Sequence, residues 1–279
     1  MQTFAVVATR VRAEERMLFE ALRRRALPWA HVDDRALVYR VGAPRPPWGV
    51  VLNRAVSATR RVEVSRLCEA TGTPVVNSVH TLQLCDNKIA TTLALHGAGL
   101  PTPRTAIALD ATRGPEAAAE VGYPAVVKPV NGSWGRGVVR AADPEAAETV
   151  FALRGQLPSP MQSLAYTQEF VAGRDLRVLV VGGRALAAMT RESEHWVRNT
   201  ARGARPVART LDPELARMAE QAAAAVGGGV LGVDLLETDT GRVVLEVNGA
   251  AEFHGLAEAH PRLQIADEIV NHALTRVDR

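Results

Sequence analysis

Three oxygen-bearing side chains in the last fifty residues carry the strongest chemical signal. Asp234 lies in the apolar run Leu231-Gly-Val-Asp-Leu-Leu236, and Glu246 and Asn248 lie in Val243-Val-Leu-Glu-Val-Asn248. Residues i and i+2 of an extended strand share a face, so Glu246 and Asn248 project together. A turn at Asp239 to Gly241 allows the two runs to pair antiparallel and would set Asp234 alongside them. Two carboxylates and a carboxamide with no soft ligand suit magnesium and not zinc. An Asp and a Glu on neighbouring strands are ordinarily solvent-facing. These strands are otherwise apolar, so each carboxylate needs a partner to offset its desolvation.

Lys128 ends the apolar stretch Ala125-Val-Val-Lys128, and after Pro129 comes the loop Asn131-Gly-Ser-Trp-Gly-Arg-Gly137. Glycines let backbone N–H groups approach an anion closely. The lysine precedes the loop on a strand instead of closing it, which excludes a Walker motif. A plain hairpin turn explains the loop alone; a partly buried lysine beside it points to phosphate. A third segment, Gln168-Glu-Phe-Val171 followed by Asp175 and Arg177, can offer a strand-end N–H and C=O to an adenine edge and a carboxylate to ribose.

The elements that must carry these groups are legible from periodicity. Phe4 to Ala8 and Gly49 to Leu52 read as buried strands, Glu14 to Arg25 and Arg61 to Thr71 as helices, and Pro74 to Asn77 as a strand. This alternation favours a parallel, Rossmann-type layer, and no Gly-x-Gly-x-x-Gly follows its first strand. A helix is expected from Asp86 to His96, then a strand–glycine loop–strand hairpin from Ala125 to Arg140, and a helix from Pro144 to Leu153 capped by Asp143. Strands follow at 166–171, 175–181 and 185–190, with Gly182-Gly183 as the turn between the last two. The polar stretch 192–206 reads as a mobile loop, and Pro213 to Val226 as a helix.

Composition narrows the class. The 279 residues are 47% hydrophobic, which excludes disorder, collagen-like repeats and a disulfide-stapled scaffold. Of 33 basic residues 31 are Arg, and the two lysines are Lys88 and Lys128. The net charge is only +3, and arginine holds the pI at 9.2. The densest basic cluster, Arg23 to Arg25, reads as a solvated helix end, so no nucleic-acid partner is expected. Cys68 and Cys85 lack metal spacing and read as reduced thiols. The apolar run from Ala222 to Leu236 is broken by glycines and Asp234, so no membrane span and a cytoplasmic location are expected.

The motifs Asp86-Asn-Lys-Ile-Ala-Thr-Thr92, Gly99-Leu-Pro-Thr-Pro103, Val127-Lys-Pro-Val130, Gly132-Ser-Trp-Gly135, Gln168-Glu-Phe170, Gly173-Arg-Asp-Leu-Arg-Val178, Asn199 to Gly203, Gly232-Val-Asp-Leu-Leu236 and Glu246-Val-Asn248 resemble, in order and separation, the ATP-grasp carboxylate-amine ligases. The resemblance covers nearly the whole chain and is strongest to the branch of ribosomal-protein glutamate ligase. It implies an α/β (α+β) fold: an N-terminal Rossmann-like subdomain over 1–83, a central lid subdomain over 84–166 and a C-terminal antiparallel-sheet subdomain over 167–279. It also implies a reaction in which a carboxylate takes the γ-phosphate of ATP and an amine attacks the acyl phosphate. Asp234, Glu246 and Asn248 would hold two Mg2+ ions, with Glu246 bridging. Lys88 and Lys128 would contact the α- and β-phosphates beneath Gly132, Ser133, Trp134, Gly135, Arg136 and Gly137. Gln168, Glu169, Phe170, Val171 and Asp175 would hold adenosine. Arg191, Asn199 and Arg202 would stabilise the transferred phosphate and the acyl intermediate, a solvated loop being the alternative.

Ser133-Trp134, His195-Trp196 and Asn199-Thr-Ala-Arg-Gly203 look closest to the carrier-protein ligases of lysine and arginine biosynthesis. Those join the α-amine of 2-aminoadipate or glutamate to the C-terminal glutamate of a small acidic carrier protein. Trp134 and Trp196 serve equally well as hydrophobic cover. The substrate-selecting segment is expected at Glu252, Phe253 and His254 with Trp196. The related enzymes carry lysine where this chain has His254, and a drift from lysine to arginine would give Arg there, so His254 implies altered amine specificity. A peptide or poly-glutamate ligase and a non-catalytic nucleotide-binding protein remain as alternatives. A homodimer or homotetramer is expected.

Overall fold

The alternating apolar and amphipathic segments at the N-terminus fold as a four-stranded parallel sheet in the order β2-β1-β3-β4. The computed structural model describes residues 3–132, 135–193 and 203–277. β1 (Thr3–Val7), α1 (Ala13–Arg24), β2 (Trp29–Val32), β3 (Trp48–Asn53), α2 (Ala58–Ala70) and β4 (Val75–Val76) build this layer. Strand β2 was not expected; it sits at the sheet edge and is only half-buried, so it lacks the apolar run of its neighbours. The arginines at the end of α1 are not simply solvated: Arg24 and Arg25 both reach Asp267, and Arg23 lies 5.4 Å over the Trp29 ring.

The expected helix from Asp86 to His96 is two helices, α3 (Val79–Asp86) and α4 (Lys88–Gly97). Asn87 adopts an extended backbone between them and caps α4, its side chain accepting the Ala90 N–H at 3.1 Å. A subdomain boundary at 83/84 therefore falls inside α3. The central sheet is antiparallel, in the order β5-β8-β6-β7. It comprises β5 (Thr105–Ala108), α5 (Gly114–Val121), β6 (Ala125–Lys128), β7 (Val139–Ala141), α6 (Pro144–Gly155), α7 (Pro160–Ser163) and β8 (Ala165–Glu169). Strand β8 pairs with β5 and β6, so the expected boundary at 166/167 cuts a strand of this sheet.

The C-terminal sheet is antiparallel, in the order β11-β10-β9-β12-β13. It is formed by β9 (Arg174–Val181), β10 (Arg184–Glu192), β11 (Arg205–Arg209), β12 (Val230–Thr238) and β13 (Gly241–Asn248), with α8 (Pro213–Ala225), α9 (His254–Ala259) and α10 (Ile265–Leu274) packed on it. Of the stretch expected as a loop over 192–206, both described ends are strand, and Glu192 and Arg205 pair at 2.7 Å.

Alternation gives this sheet two different faces. Leu176, Val178 and Val180 of β9 and Leu231, Val233 and Leu235 of β12 pack on Leu215, Ala219 and Ala222 of α8. The opposite positions, Asp175 and Arg177 on β9, Asp234 on β12 and Glu246 on β13, line a cavity. Further along that second face, Leu179 and Met189 join Phe4, Leu18, Leu22, Val50 and Leu52 of the N-terminal layer in one core with Phe253, Ile265 and Ile269. The N-terminal layer and the C-terminal sheet thus share a core.

Candidate active site

Asp234 and Glu246 are direct partners across the β12–β13 ladder, and Asn248 lies opposite Gly232. The register slips by one after Asp234, so that Leu235 faces Val244 and Leu245 is left as a bulge. The slip changes the parity of β13, which lets Val244 and Val247 both face α8 while Glu246 stays beside Asp234. The Asn248 amide donates to Asp234 Oδ2 at 3.1 Å and to Glu246 Oε1 at 3.3 Å. The three residues expected as metal ligands therefore meet at one point.

The partner that a carboxylate in an apolar strand requires is Arg177, across from Asp234 on β9. It donates from Nε to Oδ1 at 2.7 Å and from Nη2 to Oδ2 at 2.8 Å. Arg191 adds its Nη2 at 3.4 Å from Asp234 Oδ1 and donates from Nε to Asp175 at 2.6 Å. Burial alone pushes the Asp234 carboxyl up, but the charges of Arg177 and Arg191 and the bonds from Arg177 outweigh it and hold Asp234 low. Asp175 is shifted the other way, by burial and by the Asp234 charge, against the pull of Arg191. Asp175 lines the cavity, yet its carboxylate serves as the charge partner of Arg191.

Both lysines converge on this row. Lys88, in the first turn of α4, donates to the Gly132 carbonyl at 3.0 Å and lies 4.0 Å from Glu246 Oε2. Lys128 ends β6 and donates to the Gln168 carboxamide, which itself donates to Thr105 at 3.0 Å. Gln168 is 1% exposed; it lines the cavity and its carboxamide oxygen is held by Lys128. Burial pushes the Lys128 ammonium down to about 8, with the Glu246 charge pulling it back up. The hairpin of β6 and β7 carries the glycine loop as expected, and Gly135 and Gly137 take left-handed backbone angles that favour glycine. Gly132, Gly135 and Arg136 line the cavity with the lysines. Ser133 and Trp134 lie outside the described residues.

At the hinge after β8, Glu169 through Gly173 line the cavity. The Glu169 N–H donates to the Arg104 carbonyl at 2.9 Å and the Phe170 N–H to the Pro124 carbonyl at 3.0 Å. Val171 is the first hinge residue whose N–H meets no backbone carbonyl among the described residues. The Glu169 carboxylate is held by the Arg104 N–H and Nε, and the Phe170 ring lies 5.1 Å from the Arg140 guanidinium.

The expected amine-selecting segment is only partly at the site. Glu252 lines the cavity, 3.4 Å from Arg12. Phe253 is fully buried in the core shared with the N-terminal layer, which corrects its assignment to substrate. His254 is corrected as well: it begins α9, is exposed and faces Glu258 at 3.5 Å, outside the cavity lining. The helix turns its first residue outward once Phe253 is anchored. His195, Trp196, Asn199 and Arg202 lie outside the described residues. Sequence reasoning missed the N-terminal contribution, Arg12, Arg54 and Arg61, which line the same cavity. The available signal was an arginine directly after the buried run Val50-Val-Leu-Asn53.

The cavity measures about 530 Å3, within the roughly 300–1,000 Å3 usual for small-molecule sites. Among the described residues no three His, Cys, Asp or Glu side chains cluster to hold a metal by themselves. The Asp234, Glu246 and Asn248 set, hard oxygen donors beside two lysines, instead fits Mg2+, which binds through one or two carboxylates and completes its shell with water and phosphate oxygens. No helix among the described residues is long and apolar enough to cross a membrane.

Residues 85–273 match a RimK-like ATP-grasp domain and residues 4–84 a LysX preATP-grasp domain. The alpha-aminoadipate–LysW ligase LysX of Saccharolobus solfataricus is 38% identical over 206 residues, 72% of this chain and 75% of that protein. The glutamate–LysW ligase ArgX of Sulfolobus acidocaldarius is 29% identical over 275 residues, 96% of each. The crystal structure of an ATP-grasp RimK domain protein from Sphaerobacter thermophilus has a TM-score of 0.82 at 28% identity, covering 98% of this chain and 99% of that one. ATP-grasp ligases use ATP and Mg2+. The matching domain runs from the start of the Lys88 turn to the last helix, and on that extent the chain belongs to the RimK-like ATP-grasp family, whose named relatives are ligases.

Proposed function

We propose that this chain is an ATP-dependent carboxylate-amine ligase that joins the α-amine of an amino acid to the C-terminal glutamate of a small acidic carrier protein. The observation that carries the reading is the meeting of Asp234, Glu246 and Asn248 with Lys88 and Lys128 at one end of the cleft. The relatives named as ligases of a carrier, with 2-aminoadipate in one and glutamate in the other, support the substrate class.

Asp234, Glu246 and Asn248 would hold two Mg2+ ions, with Glu246 shared between them. Bound there, Mg2+ neutralises phosphate charge and polarises the phosphoryl group under attack. Lys88 and Lys128 contact the α- and β-phosphates, with the loop from Gly132 to Gly137 above them. Val171 offers its N–H to adenine, and Gln168 works through Lys128. Arg191, fixed by Asp175 and Asp234, faces the transferred phosphoryl group, and the same role is assigned to Asn199 and Arg202 on the resemblance alone. The carboxylate oxygen displaces ADP to give an acyl phosphate; the amine then forms the amide, loses a proton and releases phosphate.

The test is incubation of the protein with ATP, Mg2+, an acidic carrier ending in glutamate, and 2-aminoadipate or glutamate. A carrier heavier by one amino acid less water, with one ADP per product, is expected. Glu246→Gln should lower turnover by roughly a hundredfold or more with the fold intact, the scale seen when one transition-state charge stabiliser is removed. Absence of ADP release with every acceptor overturns the reading.

A further inference from the structure

An open parallel sheet binds ligands beyond the carboxyl ends of its strands. The N-terminal layer has no phosphate-binding glycine loop there, but Arg12 and Arg54 at its carboxyl edge line the cleft, while Arg61 is paired with Asp86. Arg12 lies in the loop after β1, and Arg54 directly follows β3.

Arg54 is rigidly held. Its backbone N–H donates to the Val7 carbonyl at 2.7 Å, its Nε to Glu15 at 3.0 Å and its Nη1 to the Ala251 carbonyl at 2.7 Å. The guanidinium rests 5.6 Å over the Phe253 ring. Only 8% of the residue is exposed, and Nη2 is buried without a hydrogen-bond partner. Arg12 grips the same Glu15 through Nε at 3.1 Å and Nη2 at 3.2 Å, leaving Nη1 on Glu252 at 3.4 Å. Burial works against ionisation of Glu15, but the two arginines hold it below the ordinary carboxylate range. One buried anion thus serves two guanidiniums, and a longer carboxylate contact, from Glu252 to Arg12, lies at the rim.

We infer that Arg54 and Arg12, clamped by Glu15, receive a non-reacting carboxylate of a ligase substrate. This rests on the ligase reading above. The guanidinium N–H groups that face the cleft and are not spent on Glu15 or Ala251 suit a carboxylate, and side chains already fixed by Glu15 and Phe253 need little ordering when the ligand arrives. Two sources share this chemistry: the α-carboxylate of the amino-acid nucleophile and the main-chain terminal carboxylate of the carrier's last glutamate.

Calorimetric titration of the full-length protein with ADP and Mg2+ separates them. The probes are L-2-aminoadipate, L-glutamate and an acidic peptide ending in glutamate, each compared with its α-carboxamide. The wild type should prefer at least one acid over its amide by tenfold or more. In Arg54→Met and in the less buried Arg12→Met that ratio should fall to about one, while the affinity for the ATP analogue AMPPNP stays unchanged; the probe whose ratio collapses names the source. A ratio that persists in both variants, or a wild type that binds no probe or shows no preference, overturns the inference. If Arg54→Met also loses AMPPNP, Arg12→Met decides. A failed ligation assay alongside an intact arginine-dependent ratio would remove the ligase reading alone. An active ligase whose preference ignores both arginines would remove the carboxylate receptor alone.

Discussion

Arg177 meets Asp234 through two parallel hydrogen bonds of 2.7 and 2.8 Å, with both side chains buried between strands β9 and β12. A prospective metal ligand is therefore already charge-paired, and its carboxylate stays ionised in an apolar strand because a guanidinium opposes it. Removing one member of such a pair strands the other. Arg177→Met is expected to destabilise the protein by about 3–5 kcal/mol, read from the urea midpoint. Arg177→Lys keeps the charge but loses the fork, and should fall between the two. An Arg177→Met protein as stable as the wild type would show that Asp234 does not depend on it.

Lys128 is half-buried, and desolvation brings its ammonium down to about 8. Below that pH the folded and unfolded chains both carry the proton. As pH rises from about 8 towards the ordinary lysine value of roughly 10.4, the folded state sheds a proton that the unfolded chain keeps, so this group's contribution to stability rises with pH. Its hold on phosphate changes in the opposite sense. AMPPNP affinity should weaken above about pH 8, towards tenfold per pH unit for a single proton. Lys128→Met should bind weakly with a flatter profile, and a wild-type profile as flat as the variant's would remove Lys128 from the phosphate site.

Asn77 ties the N-terminal layer to strand β12 and to Gly249 just after β13. Its Nδ2 donates to the carbonyls of Val230 at 2.9 Å and Gly249 at 2.7 Å, and its Oδ1 accepts the Val230 N–H at 2.7 Å. A Cβ on Gly229 would stand 2.0 Å from that Oδ1, which makes glycine obligatory there. Asn77→Ala should cost on the order of 1–3 kcal/mol for each buried group left unpaired. Asn77→Asp keeps the acceptor but turns a carboxylate oxygen towards two carbonyls, so its urea midpoint should be lower still. The reverse order would contradict this hydrogen-bond assignment.

His254→Lys introduces the lysine that the resemblance implies at this position, on the exposed start of α9 and away from the cavity. The ratio of 2-aminoadipate to glutamate turnover should stay within about twofold, as for a surface change that touches no site feature. A switch in amine preference would return His254 to the site.

The sequence alone determined the period-two faces that put Glu246 with Asn248, the hairpin around the glycine loop, the family, and the two positions where an arginine-rich chain retains lysine. Each depends on neighbours in the chain or on residue type, and Lys88 and Lys128 both line the cavity beside Glu246. Tertiary structure decided the bulge at Leu245, the pairing of Arg177 with Asp234, the break of a helix at Asn87, and the outward turn of His254. It also decided that Arg54 and Asn77 of the N-terminal layer reach the C-terminal segment that borders the cavity. Their contacts span 197 residues from Arg54 to Ala251 and 153 from Asn77 to Val230. Local periodicity carries no information about such distant partners; only burying the two layers in a common core brings a guanidinium or carboxamide to the carbonyls that satisfy it.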